Sequence, residues 1–132
     1  MLALLCLGLQ NVPVREGIPD QRSQVERDRL SLVRRIAAAE KPVASDDMTL
    51  LMLAHKPVMF EPAIVTELAA VGRWDEAPLV NLVRSQGFAF MITDDNTAGG
   101  TPHRTAALDA AMRDAYPQVE RIDDLWLHLP PR

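Results

Sequence analysis

Helical spacing of apolar and polar positions appears in five stretches of the chain. In the first stretch, Ser23 and Glu26 have the spacing of a capping box. In the third, Pro62 stands at the start and Gly72 just past the end, an asymmetry that is typical of helices. The five expected helices cover residues 23–40, 46–55, 62–72, 75–87 and 101–116.

Shorter apolar runs between these stretches predict strands. Residues 42–45 and 56–60 are two such runs, whereas FAFMIT, residues 88–93, is apolar on both faces, as in a central parallel strand covered by helices. Near the C-terminus, apolar residues alternate on both sides of Asp123 and Asp124, which predicts two extended arms joined by a turn. The side chains expected to face the core are Leu125, Leu127 and Leu129, with Trp126 and His128 opposite.

The order of these elements predicts an α/β fold. We expect a small three-layer sandwich with a mainly parallel sheet and a C-terminal antiparallel hairpin. The strand at residues 88–93 should lie at the centre, flanked by those at 42–45 and 56–60. Residues 1–22 are interpreted as an apolar N-terminal stub and linker, and residues 23–132 as a single α/β domain.

The stub begins with MLALLCLGLQ, which is apolar for about nine residues and is well short of the roughly 20 that a membrane-spanning helix needs. No basic residue precedes this run and no small-x-small cleavage site follows it, so it is a poor signal peptide. Two interpretations stay open. The run is a buried first element of the domain, or it is the end of a membrane helix whose start is missing from the chain.

Composition and charge narrow the function classes. Hydrophobic residues make up 48% and charged residues 24% of the 132 positions, which is typical of a globular domain. The formal net charge is -4, and the basic residues are scattered except in the stretch from Arg22 to Arg35, so we expect no nucleic acid partner. Cys6 is the only cysteine, which excludes an internal disulfide and a cysteine-based metal site.

Carboxylates follow the predicted strands, where ligands bind in open α/β sheets. These residues are Asp46, Asp47, Glu61, Asp94 and Asp95. They could hold a divalent cation or share acid and base roles. Alternatively, Asp46 or Asp47 caps one helix, Glu61 precedes another, and the last two solvate a loop. We favour the second interpretation because helix starts attract acids, and we therefore predict no cofactor and no tight metal binding.

The sequence GRWD, residues 72–75, also has two interpretations. Trp74 could stack on a sugar ring while Arg73 and Asp75 form hydrogen bonds with it. In the other interpretation, which we favour, GRWD is a turn between helices. Gly72 would end one helix, Asp75 would cap the next, and Trp74 would pack between them.

Several short motifs occur in a fixed order within residues 43–92. They are SDD, KPV, EP, T-x-L-A, GRWD, PL and a final strand that begins with Gly87 and Phe88 and reaches Ile92. In this order they resemble the C-terminal soluble region of bacterial membrane glycosyltransferases of the GT-C type, such as protein mannosyltransferases and the enzymes that add sugars to lipid A. His55 departs from the family pattern, which has glycine before Lys56.

The resemblance implies a non-catalytic accessory domain of a membrane glycosyltransferase that uses a polyprenyl-phosphate sugar donor. The family's catalytic aspartate lies between early membrane helices. The domain would lie on the extracytoplasmic (periplasmic) face of the inner membrane. Its partner would be the transmembrane part of the same polypeptide or a membrane glycosyltransferase.

Such a domain would position the acceptor substrate or steady the membrane core, and its ligand would be a glycan or a lipid-linked sugar. The candidate binding residues are Asp46, Asp47, Glu61, Arg73, Trp74, Asp94 and Asp95. The alternative is a stand-alone α/β enzyme that uses the carboxylates after its strands, or an interaction module.

Overall fold

The computed structural model describes residues 19–94 and 103–132 of the chain. Residues 1–18 of the predicted stub, and residues 95–102, which include the candidate Asp95, lie outside the described residues. The described elements are α1 Pro19–Ala38, β1 Ala44–Ser45, α2 Met48–Leu53, α3 Pro62–Ala70, α4 Ala77–Arg84, β2 Met91–Asp94, α5 Ala106–Ala115, β3 Gln118–Ile122 and β4 Leu125–Leu129.

The four described strands form one mixed sheet in the order β1-β2-β4-β3. Strand β2 pairs in parallel with β1 and antiparallel with β4, and β4 pairs antiparallel with β3. The α/β class, the central position of β2 and the C-terminal hairpin are therefore confirmed. The prediction of a mainly parallel sheet is wrong, because the hairpin supplies the second neighbour of β2.

Residues 56–60 form no strand, contrary to the prediction. Val58 and Met59 point largely to solvent, while Phe60 packs edge-on against Phe88 with ring centroids 6.1 Å apart. Strand β2 is also shorter than predicted and begins at Met91 rather than Phe88. The Tyr116 hydroxyl forms hydrogen bonds with both backbone groups of Phe88. It accepts from the N–H at 3.1 Å and donates to the carbonyl at 3.0 Å.

Two hydrophobic clusters make up the core. The first, which we call the α4–α5 cluster, contains Met91, Phe88, Tyr116 and side chains of α4 and α5. The second, the α1–α2 cluster, contains Ile92, Leu127 and side chains of α1 and α2. Because consecutive strand residues point to opposite sides of a sheet, Met91 and Ile92 assign the two clusters to opposite faces.

Helix α1 covers Pro19–Ala38, so it already includes the four residues before the predicted start at Ser23. Among the described side chains of α1, only Leu32 and Ile36 are buried, so the helix packs on the domain through its second half. No helix within residues 19–94 and 103–132 is long and apolar enough to cross a membrane.

The ends of α2 and α3 follow the predicted chemistry. Asp47 caps α2 and accepts a hydrogen bond from the Thr49 N–H at 3.0 Å. Glu61 caps α3 by accepting from the Ile64 N–H at 2.5 Å, and Gly72 beyond its end has a φ of 67°. A positive φ of this kind favours glycine, as the sequence predicted.

The starts of α4 and α5 lie later than predicted. Asp75 accepts from the Ala77 N–H at 3.0 Å, but the residue at the cap position of α4 is Glu76. Helix α5 begins at Ala106 with Thr105 as its cap, rather than at Thr101.

Candidate functional site

Two of the predicted site residues meet at the ends of the parallel strands β1 and β2. Asp46 directly follows β1 and Asp94 is the last residue of β2. The Asp94 N–H donates to Asp46 Oδ2 at 3.3 Å, and the Asp46 N–H donates to the carbonyl of Ile92 at 3.0 Å. The parallel register thus brings these two acids together at one edge of the sheet.

Arg104, which lies just before α5, supplies a positive charge at this edge of the sheet. Its Nη1 lies 2.5 Å from Asp46 Oδ2, and its Nε lies 2.8 Å from Asp109 Oδ1. The side chains of Arg104 and Asp46 are only 11% and 9% exposed. A buried charge requires a partner, because an isolated ion in the interior loses its hydration without compensation.

Burial affects the pKa values of both Asp46 and Arg104. It raises the pKa of the Asp46 carboxyl above its usual range, although the Arg104 guanidinium opposes the rise. Burial also acts to lower the pKa of Arg104, but Asp46 and Asp109 outweigh this effect and hold that pKa above its ordinary value. The guanidinium therefore stays charged, and it is the group on which the local charge balance depends.

The other two candidate acids among the described residues have structural contacts. Asp47 caps α2 and also pairs with Arg29 at 2.9 Å. Glu61 caps α3, and it lines a small cleft of about 120 Å³ together with Asp46, Asp94 and His103, which we call the Glu61 cleft. Asp46 and Asp94 therefore lie close to Glu61, whereas Asp47 faces α1.

The GRWD segment lies apart from these acids. Trp74 is half-buried and packs against the α4–α5 cluster, while Arg73 is exposed. Neither residue lines either of the two clefts formed around Asp94. Gly72 and Asp75 have the positive φ and the N-terminal hydrogen bond that a turn between helices requires.

A larger cleft of about 270 Å³ opens between β2, β4 and α5. We call it the Trp126 cleft, and its lining residues are Thr93, Asp94, Arg104, Asp109, Met112, Arg113, Trp126 and His128. Of these, only Asp94 belongs to the predicted site. The alternation in β4 correctly put Trp126 and His128 opposite the buried leucines, but no local pattern links Arg104 to Asp46, 58 positions earlier.

His128 and Trp126 give the cleft its neutral polar groups. His128 Nε2 lies 3.0 Å from Thr93 Oγ1. Burial lowers the pKa of His128, Arg104 lowers it further, and Asp109 opposes both effects, so the imidazole is neutral near pH 7. The indole Nε1 of Trp126 is buried and has no hydrogen-bond partner in the described part of the chain. The guanidinium of Arg121 lies 5.2 Å from the centre of the same ring.

Within residues 19–94 and 103–132, no three or more His, Cys, Asp or Glu side chains form a group that could hold a metal ion. Asp46 itself is paired with the guanidinium of Arg104, which supplies a compensating positive charge.

The chain matches no protein-family model, no curated protein and no solved structure. The likeness to membrane glycosyltransferases therefore stays a prediction from short motifs, and function has to be argued from the residues themselves.

Proposed function

We propose that this chain is a non-catalytic accessory domain of a membrane glycosyltransferase that uses a polyprenyl-phosphate sugar donor. The observation that supports it is the structural use of the acids after the strands. Asp46 is held by Arg104, Asp47 caps α2, and Glu61 caps α3. A carboxylate committed to a cap or a buried ion pair is poorly placed to move protons or bind a cation.

The motifs that carry the resemblance have structural uses as well. Lys56, from KPV, donates to the carbonyl of Ala39 at 2.6 Å and so ties the end of α2 to the end of α1. Pro62 is buried at the start of α3, and Gly72 supplies a left-handed turn. Such uses fit a fold shared with the family better than a shared catalytic site. They favour a scaffold over the alternative of a stand-alone enzyme.

A three-layer arrangement is part of the proposal. The α1–α2 cluster and the α4–α5 cluster lie on opposite faces of the sheet, which supports helices in two outer layers.

The surface of the domain supports docking on an apolar partner. Of the exposed large hydrophobic side chains in the described residues, eight fall within residues 48–71. They are Met48, Met52, Leu53, Val58, Met59, Ile64, Leu68 and Val71. A contiguous exposed apolar patch marks an interaction site, and we propose that these side chains form one. In the proposed function its partner is the transmembrane part of the glycosyltransferase, on the extracytoplasmic face of the inner membrane.

Fractionation of the cells that encode the chain tests this proposal. An antibody raised against the chain should detect its antigen in the membrane fraction, and protease added outside spheroplasts should digest it. Pull-down with the same antibody should recover a membrane glycosyltransferase, either as the same polypeptide or as a partner. A free 14.6 kDa band in the soluble fraction, protected from external protease, would refute the proposal.

Variants of the exposed apolar side chains within residues 48–71 show whether the pull-down depends on this surface. Met52→Gln and Val71→Gln, which change side chains that are each 69% exposed, should weaken recovery of the partner without unfolding the domain. Leu30→Gln and Val119→Gln serve as matched controls, because these side chains are 56% and 53% exposed but lie outside residues 48–71. Equal effects of the two sets would argue against this docking surface.

A further inference from the structure

We propose that the Trp126 cleft binds one ring of a neutral sugar. Its volume of about 270 Å³ lies just below the range of roughly 300 to 1,000 Å³ that small-molecule pockets cover. A single pyranose ring suits this size, whereas an oligosaccharide would extend beyond it. The cleft lies at the end of β2, which is also where open α/β sheets bind their ligands.

The charges that line the cleft are balanced but only partly paired. Arg104 is engaged by Asp46 and Asp109. Among the described residues, the carboxylate of Asp94 and the guanidinium of Arg113 have no hydrogen bond or ion pair, although both line the cleft. The cleft therefore offers both hydrogen-bond acceptors and hydrogen-bond donors.

This balance selects against charged ligands. An anion drawn to Arg113 would meet the carboxylates of Asp94 and Asp109, and a cation drawn to Asp94 would meet Arg104 and Arg113. A hydroxyl group avoids both conflicts, because it donates to a carboxylate and accepts from a guanidinium at the same time. A ring carrying several hydroxyls uses both kinds of group without bringing in a net charge.

The remaining lining residues fit the same ligand. Trp126 and Met112 give the cleft an apolar wall for the C–H groups of a sugar ring. His128 is neutral and bonded to Thr93, so it adds a polar group without adding charge.

The inference rests on the proposed function only for the source of the sugar. A glycan acceptor and a lipid-linked donor both present a sugar ring, but the donor carries a phosphate on its anomeric carbon. Methyl α-mannoside represents the first source, and mannose 1-phosphate represents the second.

Nuclear magnetic resonance on the full 132-residue chain tests the binding directly. Spectra of ¹⁵N-labelled protein should be recorded during titration with glucose, mannose, galactose and the two mannose derivatives. We expect saturable changes at the Trp126 indole and at the amides of Thr93 and His128 with at least one of the uncharged sugars, and no tighter binding of mannose 1-phosphate. A dissociation constant of about 1 mM would be typical of a weak single-ring site.

Variants separate the cleft from the rest of the surface. Asp94→Asn and Arg113→Gln should each weaken binding about tenfold, the loss of one good polar contact. Asp124→Asn and Arg84→Gln are the matched controls and should leave it unchanged, because both residues are exposed and neither lines the cleft. Thermal unfolding of each variant checks that the fold is intact.

Three results would overturn the inference. They are no change at the cleft with any sugar, changes that fail to saturate, and equal weakening by the cleft and control variants. Saturable changes with inorganic phosphate or Mg²⁺ but with no sugar would overturn it too, since the cleft would then select charge. Membrane fractionation is independent of this assay, so failure of the sugar site and failure of the accessory-domain proposal can be told apart.

Discussion

Replacing Arg104 by methionine should produce the largest single loss of stability among the polar contacts described above. Arg104 is 11% exposed, and its partner Asp46 is 9% exposed. Removing one member of a buried ion pair typically lowers the free energy of unfolding by about 3 to 5 kcal/mol, because the other charge is left uncompensated. Asp109 also loses a contact, but it is 33% exposed and adds little. We therefore expect a loss of about 3 to 5 kcal/mol at pH 7.

The loss should depend on pH in a defined direction. Burial already raises the pKa of Asp46 in the folded protein, and without the opposing Arg104 it should rise further. A carboxyl group whose pKa is raised on folding favours the folded state most when it is protonated. Its contribution to the free energy of unfolding is therefore fully present below the unfolded pKa, about 3.9, and is lost as the pH rises through the folded pKa. The deficit of Arg104→Met relative to the parent protein should therefore shrink as the pH falls from 7 to about 4.

Urea denaturation with linear extrapolation measures both effects. The matched control is Arg35→Met, whose ion pair with Glu120 is 40% and 45% exposed and is expected to contribute less than about 1 kcal/mol. Adding Asp46→Asn to Arg104→Met should recover much of the loss at pH 7, since it removes the stranded charge. The reasoning fails if Arg104→Met loses no more stability than Arg35→Met, or if its deficit is independent of pH.

Three further predictions concern other contacts. Trp74→Ala should lower the free energy of unfolding by about 3 kcal/mol, because the ring packs against the α4–α5 cluster; unchanged urea denaturation would contradict this. Tyr116→Phe should lose about 1 to 3 kcal/mol by unpairing the buried backbone of Phe88, and an unaltered thermal midpoint would count against it. Burial lowers the folded pKa of His128, so its contribution is present above about pH 6.5 and is lost as pH falls through the folded value. Unfolding measured at pH 7 and 5 should show this loss in the parent and in His55→Gln but not in His128→Gln; the same loss in all three would refute it.

The sequence predicted those parts of the fold that depend on local pattern. Residues 88–93 are apolar on both faces, and β2 is indeed central, because a strand with two apolar faces needs cover on both. The run at 56–60 is also largely apolar but forms no strand, and the place beside β2 that was predicted for it is taken by β4. Pairing between distant segments overrides local apolarity.

In the candidate site, too, local pattern predicted some residues, whereas residues that depend on long-range contacts were missed. Asp46 and Asp94 were expected to converge because parallel neighbours end at the same edge, and the structure brings them together. Arg104 was missed, because its contact with Asp46 spans 58 positions and depends on where the chain returns after β2. Trp126 and His128 were assigned to the correct face of β4, but nothing local indicates that this face borders a cleft.

The two halves of helix α1 differ in the number of side chains that they bury in the core. Residues 21–31 contribute no buried side chain, whereas Leu32 and Ile36 anchor the second half in the α1–α2 cluster. A helical segment of about 12 residues is marginal on its own, so amide protons in the first half should exchange through local fraying while those in the second half wait for global unfolding. A partner that lies against the first half would slow amide exchange there without changing it in the second half. The difference in exchange rate between the two halves of α1 therefore reports whether a partner is bound to this helix.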